Sequence, residues 1–566
     1  MTLHRSSQSL KIAARTAAQV LVDQLVIQGV SHVFCVPGES YLSVLDALVD
    51  RDIVVTVCRN EGGAAMMAEA HGKATGRPGI CFVTRGPGAT NAACGIHIAQ
   101  QDSTPMILFV GQVERGTKDR DAFQELDYPA VFGSMTKWTA EIGAPERMAE
   151  YVARAFSTAM AGRQGPVVLA LPRDVLTENV ETADAPHLAA LETSPGAEEM
   201  AALETLLEQA ERPILVLGGA RWDEGACAAV TRFAERFDLP VATSYRRAPL
   251  FDALHPNYAG DLGLSPNPKL VARVKASDLV IVAGGRLNEI TSQGYTLFDI
   301  PSPKMKLVHA YPGAEEIGRV YHPHLAIHAS PRRFAAALDA LRPRRPAAWT
   351  GSCGGAHSDY LDWSGTPTPQ PGEVNLGAIM VWLRENLPAD TILCNGAGNY
   401  ASWIHRFYRF RRFATHIAPT SASMGYGVPA AVAMQRLYPG RKVISINGDG
   451  DFLMNGQEFA TAFQYKLPIV VMVFDNGIYG TIRMHQEREY PGRVSATDLV
   501  NPDFAALARA FGGFGATVER TEDFAAAFRA AETSGLASII HVKFDADGIT
   551  PSTTLSAIRK AAEARA

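Results

Sequence analysis

The chain has 566 residues, of which 47% are hydrophobic and 20% are charged, so it can bury several cores and should divide into several domains. Its formal net charge of −5 provides no basic field, which argues against nucleic acid as the main partner. No apolar run reaches the length of a membrane span, so we expect no membrane segment.

The cysteines and the first residues argue against secretion. The seven cysteines are scattered and none has CxxC spacing, so neither a disulfide framework nor a zinc site is predicted. Arg5, Lys11 and Arg15 interrupt the apolar residues at the start of the sequence, so no signal-peptide core is predicted. These features indicate a soluble protein of the cytoplasm.

The first third of the chain alternates short apolar runs with helical patterns. Continuous Val, Ile and Leu runs are typical of strands that are buried on both faces of a parallel sheet. The predicted strands are residues 33–36, 53–58, 79–84, 106–111 and 166–171. This pattern predicts a doubly wound parallel sheet.

Two similar regions follow. Residues 184–199 are polar and rich in Ala and Pro, like a linker, and a second α/β region has predicted strands at 214–217, 279–283 and 306–309. Residues 342–372 contain five prolines and five glycines and are predicted to form a long connection. The fold class is therefore α/β, with three doubly wound parallel-sheet domains at 1–184, 197–341 and 373–550, followed by a tail at 551–566 that is a candidate to fold over the site.

Two neighbouring strands of the third region end in oxygen-bearing side chains. Gly448-Asp449-Gly450 follows the apolar run 442–447, and Asn476 follows the run 469–474. The carboxyl ends of parallel strands form the edge at which open α/β sheets bind ligands. Asp and Asn oxygens suit Mg²⁺ or Ca²⁺, and Mg²⁺ usually accompanies a phosphate group. The alternative is an ordinary βαβ crossover with a glycine turn.

A second candidate site lies in the first region. Glu61 follows the predicted strand 53–58 and precedes a helix, so its carboxylate should lie at the ligand edge of the first sheet. The alternative is a carboxylate that only stabilises the helix dipole. Residues 84–91 form another strand–turn–helix, for which the alternative is a plain glycine turn.

Taken in sequence order, these motifs resemble those of thiamine diphosphate (ThDP) enzymes of the acetolactate synthase-like superfamily, over nearly the whole chain. The matching motifs are Val36-Pro37-Gly38, Arg59-Asn60-Glu61-Gly62, residues 86–91, residues 122–125, Gly165-Pro166-Val167, residues 424–431 and Gly448-Asp449-Gly450 with Asn476. The resemblance implies pyrimidine-binding, central and diphosphate-binding domains. It also implies active sites between the subunits of a homodimer or homotetramer.

The resemblance implies specific roles. Glu61 would share a proton with the aminopyrimidine ring of ThDP, and Met424 would be the apolar wedge beneath the cofactor. Mg²⁺ would bind Asp449, Asn476, the main-chain carbonyl of Ile478, two diphosphate oxygens and a water, which are six oxygen ligands as Mg²⁺ requires. For Met424 the alternative is a core methionine that fills a gap.

The remaining site residues are also implied by the resemblance. The further cofactor contacts would be Pro87, Asn91, Gly398, Asn399, Gly448, Gly450, Asp451, Tyr479 and Gly480. Gln124 and His485 are candidate catalytic residues, and the candidate substrate pocket comprises Gln112, Phe123, Lys137 and Thr481. A histidine at position 485 could relay a proton, but it could equally be a surface residue in a polar run. Phe123 could be mere packing, and Lys137 a solvated charge.

The sequence departs from acetolactate synthases at two positions. These enzymes use an Arg and a Trp to choose the second 2-oxo acid, and the alignment places Ile290 and His485 there. An apolar side chain cannot pair with a carboxylate as a guanidinium does. In the central domain, the segments around His309 and His328 lack the acidic residue that would grip a ribose, so bound FAD or ADP is not favoured.

These features predict an acetolactate synthase-like enzyme that is not a true acetolactate synthase. It would use ThDP and Mg²⁺ to cleave a 2-oxo acid, with or without carboligation, as a lyase or transferase. Two alternatives stay open: a ThDP-dependent carbon–carbon lyase or hydrolase of 2-hydroxyketones or diketones, and a catalytically silent ThDP- or nucleotide-binding protein. Glu61 favours the enzyme, because mere binding does not require it.

Overall fold

The computed structural model describes residues 13–344 and 346–565. The first twelve residues, on which the prediction of no signal-peptide core rests, lie outside the described range. The chain divides into two compact units, the first with residues up to 68, 78–100 and 105–190, and the second with 69–77, 101–104 and 191 onward. Within the described residues there are three six-stranded parallel sheets, one in the first unit and two in the second. This confirms the predicted fold class.

The N-terminal sheet lies in the first unit, and all of its neighbouring strands are parallel. Its strands, in spatial order, are Val54–Val57, His32–Cys35, Gly79–Val83, Met106–Gln112, Pro166–Pro172 and Trp138–Glu141. The sequence patterns missed Trp138–Glu141, because this edge strand is only half-buried and so lacks a continuous apolar run. Arg15–Thr16 and Asn179–Val180 form a short antiparallel pair.

Helices alternate with the strands of the N-terminal sheet. They are Ala17–Ile27, Leu42–Leu48, Glu61–Thr75, Pro87–Asp102, Tyr128–Phe132, Met148–Met160 and Arg173–Thr177. Strands such as Met106–Gln112 are completely buried. Each buried Val, Leu, Ile or Phe side chain contributes about 1.5–3 kcal/mol, so sheet–helix packing dominates the stability of this unit.

The central sheet belongs to the second unit and is also fully parallel. Its strands, in spatial order, are Tyr258–Leu262, Val241–Ser244, Pro213–Leu217, Leu279–Ala283, Lys306–Tyr311 and Leu325–His328. The accompanying helices are Ala197–Gln209, Glu224–Phe237, Pro268–Ala276 and Pro331–Ala340.

The predicted connection at 342–372 is not wholly irregular, because it contains the helix Ser352–Gly365. Its buried residues Cys353, Ala356 and Tyr360 recur at helical spacing. The ring of Tyr360 meets the edge of Tyr258 with the centroids 4.8 Å apart. Packing on the central sheet therefore outweighs the poor helix propensity of the glycines.

The C-terminal sheet, the third one, contains the motif Gly448-Asp449-Gly450. Its strands, in spatial order, are His416–Ile417, Ile392–Asn395, Val443–Gly448, Val470–Asp475, Ser538–Lys543 and Phe514–Val518. The helices are Leu376–Asn386, Ala401–Phe407, Gly427–Leu437, Asp449–Asn455, Phe459–Gln464, Gly480–Glu489, Phe504–Ala510, Phe524–Ser534 and Leu555–Glu563. Because Gly448 pairs with Phe474, the residues that follow both strands lie side by side. None of the helices in the described part of the chain is long and apolar enough to cross a membrane.

Candidate cofactor site

In the first unit, the structure brings Glu61 and Asn91 together. Glu61 is the first residue of helix Glu61–Thr75, directly after strand Val54–Val57 and its short turn. Its Oε2 accepts a hydrogen bond of 3.0 Å from Nδ2 of Asn91, in helix Pro87–Asp102. Both side chains therefore lie at the carboxyl edge of the N-terminal sheet, as predicted.

Pro87, Phe123 and Gln124 lie near this edge. The main chain at Gly86, just before Pro87, packs so closely on Gln124 that a Cβ on Gly86 would be 2.8 Å from the Cβ of Gln124. Gln124 has φ of +64°, a left-handed conformation that is uncommon for non-glycine residues. Phe123 is 75% exposed, so it is not a packing residue within the chain.

Two other pocket candidates of the first unit lie elsewhere or are already engaged. Gln112 is only 1% exposed, and its amide donates to the carbonyl of Leu126 at 2.9 Å. Lys137 precedes strand Trp138–Glu141 and donates to the carbonyl of Ala161. Lys137 is thus at the amino end of the strands, and the structure does not bring it to the edge that carries Glu61. Sequence order alone could not show this, because the pattern did not predict that strand.

The second unit contains a cavity of about 670 Å³ at the carboxyl edge of the C-terminal sheet. It is lined by all the site residues that were predicted in this unit, namely Gly398, Asn399, Met424, Gly448, Asp449, Gly450, Asp451, Asn476, Ile478, Tyr479, Gly480, Thr481 and His485. Small-molecule and cofactor sites typically have volumes of about 300–1,000 Å³. The cavity is thus large enough for a cofactor together with a small substrate.

Asp449 lies at the end of this cavity where the sequence predicts a metal ion, which we call the metal end. Its Oδ1 accepts from the main-chain N of Gly450 at 2.8 Å, and its Oδ2 accepts from the main-chain N of Gly477 at 3.0 Å. Asp449 is therefore held against the turn that contains Asn476. Burial raises the pKa of Asp449 to about 6, so a nearby cation would stabilise its charged form.

Three residues that the sequence patterns did not identify orient Asp449. The amide of Asn501 donates to Oδ2 of Asp449 and to Oδ1 of Asp475, both at 2.8 Å. The other carboxylate oxygen of Asp475 is 2.8 Å from Nε2 of His541. Burial alone would raise the pKa of Asp475, but the hydrogen bonds from His541 and Asn501 lower it. Asp475 could have been noticed because it precedes Asn476, whereas Asn501 and His541 are far away in the sequence.

The residues present fit a magnesium ion and a diphosphate group. Among the described residues, no group of three or more His, Cys, Asp or Glu side chains could hold a metal ion by itself. A cation at Asp449 would therefore also need Asn476, a main-chain carbonyl and cofactor oxygens, which is the hard-oxygen set that Mg²⁺ takes. Gly450 keeps this wall open, because a Cβ there would lie 2.6 Å from the ring of Tyr479.

The loop that carries Met424 is held in a strained conformation. Ala422 has φ of +53°, and the main-chain N of Gly425 donates to Oδ1 of Asp451 at 2.7 Å. The hydroxyl of Tyr400 donates to the other oxygen of Asp451 at 2.6 Å. Left-handed non-glycine residues cost about 1–3 kcal/mol and persist where the surroundings fix them. Asp451 therefore anchors the Met424 loop, and burial raises its pKa to about 6.

Buried charges of the second unit anchor the two ends of the same loop. Oδ1 of Asp102 accepts from the main-chain N of Thr420 at 2.8 Å, and the ammonium of Lys73 donates to the carbonyl of Ala418 at 2.9 Å. Lys73 also forms an ion pair with Asp102. At the other end, the hydroxyl of Tyr426 donates to the carboxylate of Glu69. These contacts fix Met424 at the cavity wall.

Helix Gly480–Glu489 and the tail form another wall of the cavity. Thr481 donates to Oδ1 of Asn399 at 2.9 Å, which joins two of the predicted residues. Thr550, Ser552 and Thr553 also line the cavity, so the tail region does reach the site.

At the carboxyl edge of the central sheet, the space after the neighbouring strands Pro213–Leu217 and Leu279–Ala283 is filled by the chain itself, whereas Arg246 and Leu264, which follow two other strands, line the cavity. A Cβ on Gly219 would lie 1.7 Å from the carbonyl oxygen of Gly284, so the two glycine turns pack directly on each other. The indole of Trp222 donates to the carbonyl of Gly218 at 2.7 Å, and Arg247 donates to the carbonyl of Gly219 at 2.8 Å.

Comparisons with known proteins agree with this geometry. Three domain families match the chain: the N-terminal TPP binding domain of thiamine pyrophosphate (ThDP) enzymes at residues 15–131, their central domain at 200–340 and their C-terminal TPP binding domain at 396–542. The chain is 30% identical over 534 residues to the acetolactate synthase isozyme 2 large subunit of Escherichia coli (strain K12), which covers 93% of this chain and 95% of that protein. It is 32% identical over 535 residues to the acetolactate synthase large subunit of Parasynechococcus marenigrum (strain WH8102), covering 91% and 86% of the two chains. It is also 31% identical over 513 residues to the probable acetolactate synthase large subunit of Methanocaldococcus jannaschii, covering 88% and 86%.

Proposed function

Because the chain belongs to the ThDP-dependent enzymes of the acetolactate synthase family, we propose that it uses ThDP and Mg²⁺ to cleave the bond beside the oxo group of a 2-oxo acid. The observation that carries this proposal is the cavity of about 670 Å³ in which Asp449, Asn476 and Met424 meet. The products would be CO₂ and either an aldehyde or, if the remaining acyl carbanion equivalent is transferred to a second carbonyl, an acyloin.

We assign each of the proposed site residues a task in that reaction. Asp449, Asn476 and the carbonyl of Ile478 would hold Mg²⁺ and, through it, the diphosphate. When bound, ThDP supplies the electron sink that lets the carboxylate leave as CO₂. Glu61 would hold a proton at the aminopyrimidine ring, and its bond to Asn91 keeps its carboxylate in one orientation. His485, on the cavity wall, could return a proton to the product.

Two residues support a product other than acetolactate. Ile290 stands at the position of the family arginine, and His485 stands at the position of the family tryptophan. An isoleucine offers no charge to the carboxylate of a second 2-oxo acid, whereas His485 adds a polar group to the cavity.

The assembly and domain assignments are part of the same proposal. We propose a cytoplasmic homodimer, or a tetramer of two such dimers, in which the partner subunit's Glu61 completes the cavity. The matched family ranges fall within the proposed domains 1–184, 197–341 and 373–550. The packed glycine turns of the central sheet support a central domain without FAD or ADP.

A panel assay tests the proposed reaction. The protein would be supplied with ThDP and Mg²⁺ and assayed against 2-oxo acids for CO₂ release and product identity. We expect CO₂ with an aldehyde or acyloin from at least one acid. If ThDP binds but no acid yields CO₂, the proposed reaction is wrong, and 2-hydroxyketones and diketones would be assayed as substrates of a lyase or hydrolase.

Replacement of Glu61 separates catalysis from binding. Glu61→Gln keeps the shape but cannot exchange a proton, so we expect an unchanged Kd for ThDP and a kcat that is lower by about 10²–10⁴-fold. The control is Glu114→Gln, at an exposed position of the same unit. Full activity of Glu61→Gln would contradict the proposed proton-holding role of this carboxylate. If the protein binds ThDP without catalysing a reaction, the wild type would show no turnover either.

A further inference from the structure

One face of helix Gly480–Glu489 lines the cavity from its metal end to its rim. Thr481, His485 and Arg488 are four and three residues apart, so they share a helix face, and all three line the cavity. We call these three residues the polar face. Thr481 is engaged with Asn399, which leaves His485 and Arg488 as the groups nearer the rim.

The tail fixes the rotation of this helix. The guanidinium of Arg559, in helix Leu555–Glu563, forms an ion pair with Glu487, whose side chain is only 1% exposed. Glu487 also accepts from the main-chain N of Gly492 at 3.0 Å. Met484, which lies beside the polar face and also lines the cavity, packs on the small core that includes Leu555. With this side of the helix held by the tail, the polar face is directed to the cavity.

The arginines of this helix differ in their partners. Arg483 donates to Oγ1 of Thr497 at 2.7 Å and forms an ion pair with Asp498, so its charge is balanced. Arg488 forms no ion pair with any carboxylate of the described residues, and its one hydrogen-bond partner there is Nδ1 of His485, at 3.5 Å. Arg488 therefore brings an unbalanced positive charge to the cavity rim.

The other charged side chains that line the cavity already have partners or face its metal end. Asp449 faces the metal end, and Asp451 accepts hydrogen bonds from Tyr400 and Gly425. The remaining guanidinium of the lining, that of Arg246, donates to the carbonyls of Pro419 and Gly396. Arg488 is thus the group of this lining that is best placed to recognise an anion.

The position of Arg488 helps to decide which carboxylate of a substrate it could bind. At a rise of 1.5 Å per residue, Arg488 lies about 12 Å along the helix from Gly480, which is next to the metal ligands. The carboxylate that leaves as CO₂ must lose its charge, so a strong ion pair with it would stabilise the ground state and oppose the reaction. The carboxylate that Arg488 binds is therefore not the one that leaves as CO₂.

We infer that Arg488, with His485 beside it, binds a second carboxylate of the substrate, so that the enzyme prefers dicarboxylic 2-oxo acids. This inference rests on the proposed function and names its substrate class. The hydroxyl groups of Thr550, Ser552 and Thr553 also line the cavity and can complete the hydrogen bonding of such a carboxylate. A guanidinium suits this role because it can donate two parallel hydrogen bonds to one carboxylate.

Paired substrates test the inference. The wild type, Arg488→Gln and Arg493→Gln would be assayed as ThDP/Mg²⁺ holoenzymes with 2-oxoglutarate and with 2-oxopentanoate, which has the same chain length but lacks the second carboxylate. In the wild type we expect kcat/KM to be higher for 2-oxoglutarate. In Arg488→Gln we expect the ratio of the two kcat/KM values to fall by about 10-fold or more, mainly through KM, because a charge-assisted hydrogen bond is lost. Arg493 is exposed and does not line the cavity, so Arg493→Gln should keep the wild-type ratio.

A binding measurement covers the case in which neither acid is turned over. Glutarate, which has both carboxylates but no oxo group, would be titrated calorimetrically into the same three holoenzymes. We expect its Kd to be about 10-fold or more weaker for Arg488→Gln than for the other two proteins. Equal Kd values, or an unchanged substrate ratio, would overturn the inference while leaving the proposed function intact. Absence of CO₂ from all 2-oxo acids, with glutarate binding dependent on Arg488, would instead overturn the proposed reaction.

Discussion

The central and C-terminal sheets have the same architecture, but their carboxyl edges differ in how much space they leave for a ligand. Both are parallel sheets of six strands in the second unit. The C-terminal sheet opens at its carboxyl edge into a cavity of about 670 Å³. At the equivalent edge of the central sheet, the turns at Gly219 and Gly284 pack on each other, and Trp222 and Arg247 bind their carbonyl groups. The fold therefore offers a ligand edge, but the residues after each strand decide whether it is open.

The helix N-termini show the same contrast. At the central sheet, Asp223 caps helix Glu224–Phe237 through the main-chain N of Ala226, and Ser330 caps helix Pro331–Ala340. These donors are satisfied within the chain, and the Asp223 carboxylate would repel a phosphate. At the C-terminal sheet, helix Gly480–Glu489 begins without a side-chain cap. Its first N–H groups are free of side-chain acceptors and can serve a bound anion.

Replacement of the proposed metal ligand at the open edge should have the largest effect on cofactor binding. Asp449→Ala deletes a carboxylate that we assign directly to Mg²⁺, so we expect Mg²⁺-dependent ThDP affinity to fall by more than about 100-fold, beyond the loss typical of outer-shell partners. The Kd for ThDP would be measured by calorimetry at fixed Mg²⁺. Unchanged affinity would show that the metal assignment is wrong.

Removal of the residue that orients Asp449 should have a smaller effect. Asn501→Ala deletes the amide that donates to both Asp449 and Asp475. Partners of metal ligands typically contribute about 10–100-fold to metal affinity, and we expect a loss in this range for Mg²⁺ or Mn²⁺ binding. Asn386→Ala, at the end of a helix of the same sheet, is the matched control. Equal metal affinities of the two variants would contradict an orienting role of Asn501.

A buried acid of the central sheet should make stability depend on pH. Asp261 lies on strand Tyr258–Leu262, and burial raises its pKa to about 8. Between pH 4 and 8 the folded state keeps a proton that the unfolded chain releases, so this group makes the wild type less stable as pH rises, by at most about 1.4 kcal/mol per pH unit. Asp261→Asn removes this dependence, and its Tm should therefore rise relative to the wild type between pH 5 and pH 8. A difference in Tm that stays constant with pH would contradict the prediction.

Removal of a helix cap at the closed edge should change stability alone. Asp223→Ala deletes the cap of helix Glu224–Phe237 and should lower the free energy of unfolding by about 0.5–2 kcal/mol. The Kd for ThDP should not change, because Asp223 does not line the cofactor cavity. Measuring Tm and Kd on the same sample checks both statements. A weaker Kd would show that the cap of this helix also affects the cofactor cavity.

Local patterns were sufficient for the fold class and for placing Asp449 and Asn476 together at one edge of the C-terminal sheet. Buried strands are recognisable as continuous apolar runs. The strand predicted at 106–111 differs from the observed strand Met106–Gln112 by one residue. Trp138–Glu141 was missed because this partly exposed edge strand has a mixed composition, whereas the strand at the opposite edge of the same sheet, Val54–Val57, was predicted. The helix Ser352–Gly365 was missed because its glycines disfavour a helix until Tyr360 packs on the central sheet.

The sequence by itself determined where the proposed site residues lie. Glu61, Asp449 and Asn476 each follow a recognisable strand, and the position after a parallel strand fixes the sheet edge at which a side chain lies. Only the tertiary structure decided how that chemistry is supported. Asn501 and His541 orient the metal end from distant parts of the chain, and Arg488 faces the cavity because Arg559 holds the other side of its helix. Hydrogen bonds and ion pairs between residues far apart in sequence depend on how the elements pack, and no local pattern encodes them.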